Sequence, residues 1–429
     1  RVRRRSAWSW TPSTWSRTRR CGRCRPGASR TRAGTPGPRR GPARWCAAAC
    51  TAYGVAATAA LAAVLLAGDR TAPTYALALT AAWWLAPGPP LLLVLLLLRR
   101  PRVAVALLCP AVVAVSSWVP RSPAGTDAGD APPLRVVTWN LTAGAPVDGL
   151  LALARESAPD LLVLQEVSAQ ALREVAPLED GYPHRHVSPT AWAPRWGVPA
   201  GTAVLSRHPI TDVRPVTGLP AAARPTDVVT VDVRGRPVAV VSVHLASPCL
   251  GCRFHPSDPG PAGGTTSAAR VRSAEAERLA GLARELVRRG EAVVLAGDVN
   301  ASDLNAPLRT FARAGLVDAY RAVAWGPGLT RGPWPGLARI DVVQVAGLVP
   351  LRARVGDAAG SDHAPVVVDL APPAPGWAPR ALRGHPPDPR SSPQPTGEFS
   401  AGSSGTRREA PRSTAELAGR SPAGRAPLD

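Results

Sequence analysis

The apolar positions of the chain fall into three textures. Between Cys46 and Val119 they form three nearly continuous runs: Cys46–Gly68, Ala72–Leu98 and Val103–Val119. The first and third approach or reach the roughly 20 residues that a helix needs to cross a bilayer. The second is longer and is interrupted by Pro87, Pro89 and Pro90, which predicts a kinked or tilted span. The plainer alternative is a signal peptide followed by a buried core helix. Three such runs in succession are rare in a soluble domain, so the pattern predicts three transmembrane helices over residues 46–119.

From Leu134 the texture changes to short apolar runs alternating with helix-period segments. Strands are predicted at 134–141, 161–167, 201–206, 227–234, 237–245, 292–298, 339–346 and 364–370. The stretch VVTVDVRGRPVAVVSVHL reads as a hairpin with Gly235 at its turn. Helices fit 147–157, 168–176, 273–289 and 305–314. In the third of these, Leu279, Leu282, Leu286 and Val287 form one apolar stripe. Ser273 is placed to cap it, with Glu275 and Glu277 near the favourable end of the dipole, and Arg288, Arg289 and Gly290 mark its stop. Hairpins mixed with helices predict an α/β fold of two packed, mixed sheets with helices outside, not a doubly wound parallel sheet.

The third texture is polar. Residues 1–45 have no apolar period and read as a basic disordered arm or a mis-called start, a reading that the missing initiator Met supports. Residues 120–133 are a Pro/Gly/Ala linker, and 372–429 form a Pro/Arg-rich tail that cannot bury a core. The intervening residues 134–371 are the expected catalytic domain.

Charge refines this division. The chain carries +21, yet 14 Arg lie in the first 44 residues, whereas residues 133–371 net only +2. The high overall charge therefore implies nothing about nucleic-acid binding by the folded part. Arg crowds the N-terminal side of the first apolar run and recurs as Arg99, Arg100 and Arg102 between the second and third. The positive-inside rule then places the N-terminus in the cytoplasm and everything after Val119 outside the plasma membrane, with Trp118 at the outer interface.

Strand after strand ends in a polar group: Asn140, Glu166, His244, Asp298 with Asn300, Asp341 at a strand start, and Asp362 with His363. Taken singly, each is more often a solvated turn residue, or, for His244, a satisfied core histidine. Loops at one end of a sheet share one surface, so these groups can converge. Converging carboxylates repel and resist ionisation, and a divalent cation relieves the conflict. An all-oxygen donor set favours Mg²⁺, Mn²⁺ or Ca²⁺ over Zn²⁺.

The ordered motifs W-N, Q-E, V-H, G-D-x-N, R-I-D and S-D-H resemble the endonuclease/exonuclease/phosphatase superfamily, over residues 134–371. The three apolar runs further resemble a membrane-anchored branch of high-GC bacteria linked to glycopeptide resistance. The resemblance implies a four-layer αββα sandwich and a Mg²⁺- or Mn²⁺-dependent phosphoester hydrolase. It implies Glu166 as the main metal ligand, with Asn140 and Asp362 assisting. His363 becomes the general base or a phosphate contact, with Asp341 orienting its ring. Asp298 and Asn300 position the water and phosphoryl oxygens, and His244 assists the leaving group. Asp298 rivals His363 as the base.

Two flanking features complete the reading. Cys249 and Cys252 are spaced C-x-x-C in a long loop, which an extracytoplasmic location favours as a disulfide; a Zn site with His255 lacks a clear fourth ligand. Cys21 and Cys24 repeat the spacing in the arm and are assigned nothing. Trp192, Arg195 and Trp196 could contact substrate or the bilayer surface, or simply pack a loop. A site tethered beside lipid headgroups sees lipid-linked phosphates and pyrophosphates at high effective concentration, so these are the expected substrates. The alternatives are an extracellular nuclease, against which the near-neutral domain argues mildly, and a catalytically silent membrane scaffold, which would ordinarily have lost a metal ligand or the histidine. The oligomeric state has no sequence signature.

Overall fold

The structure, a computed structural model, describes residues 42–121, 132–142, 146–178, 180–188, 200–248, 265–333 and 335–371. The terminal tail, most of the arm and linker, Cys21, Cys24, Cys249, Cys252, His255, Trp192, Arg195 and Trp196 lie outside the described residues. All described residues belong to one compact unit.

The apolar runs become helices. α1 spans Pro42–Ala67, and a single tight turn, Gly68–Arg70, leads into α2 (Ala72–Leu79). α3 (Ala81–Leu85) and α4 (Gly88–Leu97) follow, then α5 (Pro101–Trp118). α1 and α5 are each long and apolar enough to cross a membrane, and the α2–α4 segment makes a third candidate if its bent pieces count as one span. The bend differs from the one expected. It is 64° and falls between Leu79 and Ala81, not at Pro87, which keeps helical dihedrals. Thr80 leaves the helical region there, so that α2 can turn onto the following domain. The bundle's outward face remains apolar, with Leu66, Leu93, Leu97, Val105 and Leu108 exposed.

Among the described residues, the rest is a sandwich of two six-stranded sheets. The first sheet contains β1 (Leu134–Asn140), β2 (Leu161–Ser168), β3 (His184–Val187), β4 (Ala200–Ser206), β11 (Val349–Val355) and β12 (Val366–Ala371), in the order β11-β12-β1-β2-β4-β3. The second contains β5 (Ile210–Pro215), β6 (Asp227–Asp232), β7 (Pro237–His244), β8 (Ala292–Asp298), β9 (Val317–Asp318) and β10 (Asp341–Ala346), in the order β5-β6-β7-β8-β10-β9. Each sheet has one parallel pair, β1 with β2 and β7 with β8, joined by a crossover helix: α6 (Asp148–Ser157) and α8 (Thr265–Arg288) respectively. The remaining pairings are antiparallel, so both sheets are mixed.

Alternate side chains of the central strands meet in one core between the sheets, where Val136, Val163, Val240, Val294 and Val343 are sealed from solvent. The outer face of the first sheet is covered by α6 and α7 (Ala169–Glu174), through Leu150, Leu153 and Ala171 on Trp139 and Leu164. The outer face of the second is covered by α8 and α9 (Ala306–Arg313), through Leu279, Leu286 and Phe311 on Val241 and Leu295. Four layers, αββα, result. The hairpin turns at Arg234 and Gly235, both at positive φ, as a two-residue primed turn requires.

Helix α8 begins at Thr265, eight residues before Ser273, which is therefore interior and not a cap. Arg272 and Glu275 explain the difference. Both read as solvated, yet both are buried, Arg272 donating to the Ala246 carbonyl and Glu275 accepting from the Ala246 amide. Charged side chains on the inward face hid the first two turns from an apolar-period reading. α10 (Ala319–Val323) was also not anticipated.

Candidate active site

The two parallel pairs end at the same edge of the sandwich. Asn140 lies opposite Gln165 in β2, and His244 lies opposite Asp298 in β8. Asp341 opens β10 directly opposite Asp298. All eight residues singled out in the sequence come to this edge.

Asp298 is at the centre. One of its oxygens, Oδ2, accepts from Asn140 Nδ2 at 3.2 Å and lies 3.6 Å from His244 Nε2 and 3.8 Å from His363 Nε2. The other, Oδ1, accepts from the Asn300 amide at 2.8 Å. Burial pushes the Asp298 carboxyl up to about 6; the His363 charge opposes this and nearby Asp341 reinforces it.

His363 is held by Asp341, with Nδ1 and Oδ2 2.8 Å apart. Burial pulls the imidazole pKa down, but the adjacent Asp341 carboxylate and its hydrogen bond outweigh it and raise the pKa to about 9. The bond fixes the tautomer and aims Nε2 into the cluster. The ring's backbone is pinned too: Trp139 Nε1 donates to the His363 carbonyl at 2.8 Å. The tryptophan of the W-N motif thus supports the histidine of S-D-H.

Glu166 reaches the site through an irregularity. The β2–β4 register shifts between Leu164 and Val167, and Glu166 has φ +54. A bulge here re-aims the side chain that strict alternation would send elsewhere. Glu166 Oε1 accepts from Asn140 Nδ2 at 3.1 Å and lies 3.8 Å from His244 Nε2, with about a fifth of its side chain exposed. Asp362 stands at the rim. Its Oδ1 accepts from Thr142 Oγ1 at 2.5 Å, and its other oxygen pairs with Arg331. Ser361 Oγ donates to the Asn140 carbonyl at 2.7 Å, tying the end of β1 to the loop that precedes β12.

The donor chemistry suits a hard divalent cation. The carboxylates of Glu166, Asp298 and Asp341 gather here, Asn140 Nδ2 bridges the first two while its Oδ1 accepts from the Thr142 amide, and Asp341 Oδ1 is buried with no hydrogen-bond partner. By geometry the tightest candidate group is Asp298, Asp341 and His363, whose ligand atoms lie within 4.8 Å of one another. His363 has Nδ1 engaged with Asp341, so only Nε2 faces the cluster. Glu166 is the most solvent-accessible of the inner carboxylates and offers a second place where an ion could bind.

The sequence matches the model of the Endonuclease/Exonuclease/phosphatase family over residues 137–363, which spans every one of these residues. The chain belongs to that family. Its members are metal-dependent phosphoester hydrolases, and so is this protein. No curated protein matches the sequence. Solved structures do: the human Nocturnin catalytic domain with bound sulfate is 21% identical, covering 56% of this chain and 94% of its own, at TM-score 0.45. An endonuclease/exonuclease/phosphatase family protein from Leptotrichia buccalis is 18% identical, covering 55% and 99%, at 0.44. Sphingomyelinase C from Streptomyces griseocarneus is 22% identical, covering 56% and 99%, at 0.38.

Sequence reasoning missed Thr142 and Arg331. Thr142 stands two residues after the W-N motif and looks like a turn residue. Arg331 lies in an irregular stretch with no pattern, and only the fold carries it to Asp362.

Proposed function

We propose that this metal-dependent phosphoesterase is anchored in the plasma membrane by its helical segment and acts outside the cytoplasm on lipid-linked phosphates or pyrophosphates. The observation that carries the reading is the placement of the helices. The Gly68–Leu79 segment and the C-terminal end of α5 pack against the same edge of the sandwich that carries Asp298 and Asn300. Against Arg70 and Arg121 at the sandwich end, Arg44, Arg99, Arg100 and Arg102 lie at the opposite ends of α1 and α5. With those arginines in the cytoplasm, the cleft sits at the external headgroup level. The apolar outward face of the bundle supports an integral location.

In this proposal Glu166, with Asp362 at the rim and Asn140 once its amide turns its oxygen inward, would hold Mg²⁺ or Mn²⁺, and the cation would neutralise charge on the phosphoryl oxygens. Asp298, with a pKa of about 6, is ionised at neutral pH and accepts the proton of the attacking water. Asn300 helps place that water and the phosphoryl group. His363, still protonated there, supplies a fixed positive charge to the phosphoryl oxygens, and Asp341 keeps it so. This assignment favours Asp298 over His363 as the base. His244, whose Nε2 lies between Glu166 and Asp298, is assigned to assist the departure of the leaving oxygen.

The test is hydrolysis by the full chain in detergent micelles, with Mg²⁺, Mn²⁺ or chelator, read as phosphate release from a polyprenyl pyrophosphate and an inositol phosphate, headgroup release from a phospholipid, and strand scission of plasmid DNA. Metal-dependent hydrolysis of a lipid phosphate is expected. Rapid DNA cutting with the lipids untouched would favour the nuclease reading, and a cytoplasmic position for a tag at the C-terminus would reverse the topology.

A further inference from the structure

The turn between β8 and α9 carries Asn300, and it is held by the N-terminal helices. Tyr75 of α2, 1% exposed, donates its hydroxyl to the Asn300 carbonyl at 2.9 Å. Ser302 Oγ donates to the Ala78 carbonyl at 2.6 Å. Asp69, buried in the turn before α2, accepts from Asn305 Nδ2 at 2.7 Å and from the Ala306 amide at 3.2 Å. Leu304 packs against Leu61, Leu85 and Ala114 of the bundle. The whole stretch from Asn300 to Ala306 is thus bonded to a part of the chain more than 200 residues away.

These contacts meet needs that the turn does not meet by itself. Asn305 precedes α9 yet makes no side-chain cap bond of its own. Asp69 supplies the missing carboxylate to the Ala306 amide, a cap brought from another element. Asn300 has φ +47, a conformation that Asn tolerates but does not prefer. Its amide bonds Asp298 Oδ1, and its side chain bonds the Leu245 carbonyl at 3.0 Å. The carbonyl on the other side of this strained residue is the one that Tyr75 grips. Tyr75 also touches the second strand end. The Arg272 guanidinium lies 4.7 Å over its ring and donates to the carbonyl of Ala246, two residues after His244.

We infer that Tyr75 and Asp69 are positioning residues of the catalytic site, so that the membrane-helix segment is a structural part of the enzyme's active centre as well as its anchor. The inference rests on the site reading above for its catalytic consequence, while the clamp itself has an independent readout. An anchor alone would need only a linker. Here the helices fix the turn whose Asn300 amide closes on the Asp298 carboxylate.

The test uses the full chain in detergent micelles, with Tyr75→Phe, Asp69→Asn and, as a control on the lipid-facing surface, Leu97→Ala. Tyr75→Phe removes one hydroxyl and keeps the ring under Arg272. Two measurements are made: hydrogen exchange of the amides from Asn300 to Ala306, and kcat and KM on bis(4-nitrophenyl) phosphate with Mn²⁺. Faster exchange confined to this turn in both clamp variants is expected, with kcat lowered roughly 10- to 100-fold and KM within about twofold. Leu97→Ala should leave both unchanged. Wild-type exchange and kcat in both Tyr75→Phe and Asp69→Asn overturn the inference, as does faster exchange with unaltered kcat. If wild type hydrolyses no phosphoester, the proposed function fails instead. The clamp is then judged on exchange alone, where equal rates in wild type and variants reject it.

Discussion

His363 Nδ1 and Asp341 Oδ2 are 2.8 Å apart, and both side chains are sealed from solvent. This pair sets a pH signature. The His363 pKa is raised to about 9 by Asp341 against the opposing pull of burial. A raised pKa means that the folded state binds the proton more tightly than the unfolded chain. The stabilisation is fully present below the ordinary value of 6.5 and is lost as pH rises through about 9. Asp341→Asn should remove that window, lower the imidazole pKa and reduce kcat by roughly 10²- to 10⁴-fold. NMR titration of the His363 ring in metal-free protein checks the first effect, and steady-state kinetics the second. An unshifted titration would detach the two residues.

Metal removal gives a second expectation. A cation bound only by the folded state stabilises it by about 2.7 kcal/mol at a hundredfold excess over Kd. Chelation should therefore abolish hydrolysis and lower the melting temperature together. Glu166→Gln keeps an acceptor for Asn140 Nδ2 but loses the charge. It should melt at or above the metal-free wild type, lose the Mg²⁺- or Mn²⁺-induced rise, and be inactive. A retained metal shift in that variant would move the ion away from Glu166, towards the Asp298–Asp341–His363 group.

Glu275 yields a third. Burial pushes its carboxyl up to about 7, against the Ala246 amide and the charges of Arg224 and Arg272. Since the folded value is raised, the contribution is complete below about 4.5 and is lost as pH climbs through 7. The pKa difference corresponds to a loss on the order of 3 kcal/mol between mildly acidic and alkaline pH. Glu275→Gln can still accept from the Ala246 amide and should flatten that slope. Thermal melts across pH 4 to 9, wild type against variant, measure it; parallel curves would show that Glu275 stays charged.

The site was legible in the sequence because its residues end apolar runs of strand length, and such ends share an edge once the sheets form. Asn140, His244 and Asp298 follow directly from that. Glu166 was legible as a residue but not as a geometry, since only the bulge in β2 aims it inward. The strands that escaped notice, β3, β5, β9 and β11, are the edge strands of the two sheets, where alternation is weak and polar or charged side chains such as Arg352 and Arg354 interrupt it. Arg272 and Glu275 misled for the opposite reason: charge signals exposure, and here the charges are buried against strand-end carbonyl and amide groups. The hold of Tyr75 on Asn300 joins residues 225 apart, and no local pattern encodes such a contact. The bend at Thr80 escaped likewise, because the prolines were the stronger local signal and docking decided the break.

The glycine of G-D-x-N supports a final prediction. Gly297 has φ +145, a region that side-chain-bearing residues rarely enter, and a Cβ built there would lie 1.9 Å from the Val243 carbonyl oxygen. That carbonyl belongs to β7, the parallel neighbour of β8, at the position where Val243 and Gly297 pair. The close approach brings His244 and Asp298 side by side one residue later. Gly297→Ala must therefore either push β7 and β8 apart or rotate the backbone just before Asp298. Strain of this kind costs of the order of 1–3 kcal/mol, and the clash with a backbone atom adds to it. The variant should melt several degrees lower and lose most of its hydrolytic activity even where it stays folded. Gly281→Ala makes the comparison, because its Cβ meets nothing within 4 Å and the position is helical; it should match or slightly exceed wild-type stability. Equal melting temperatures and activities for Gly297→Ala and Gly281→Ala would mean that the strand ends are not held by this approach, and the packing account of how Asp298 meets His244 would fail.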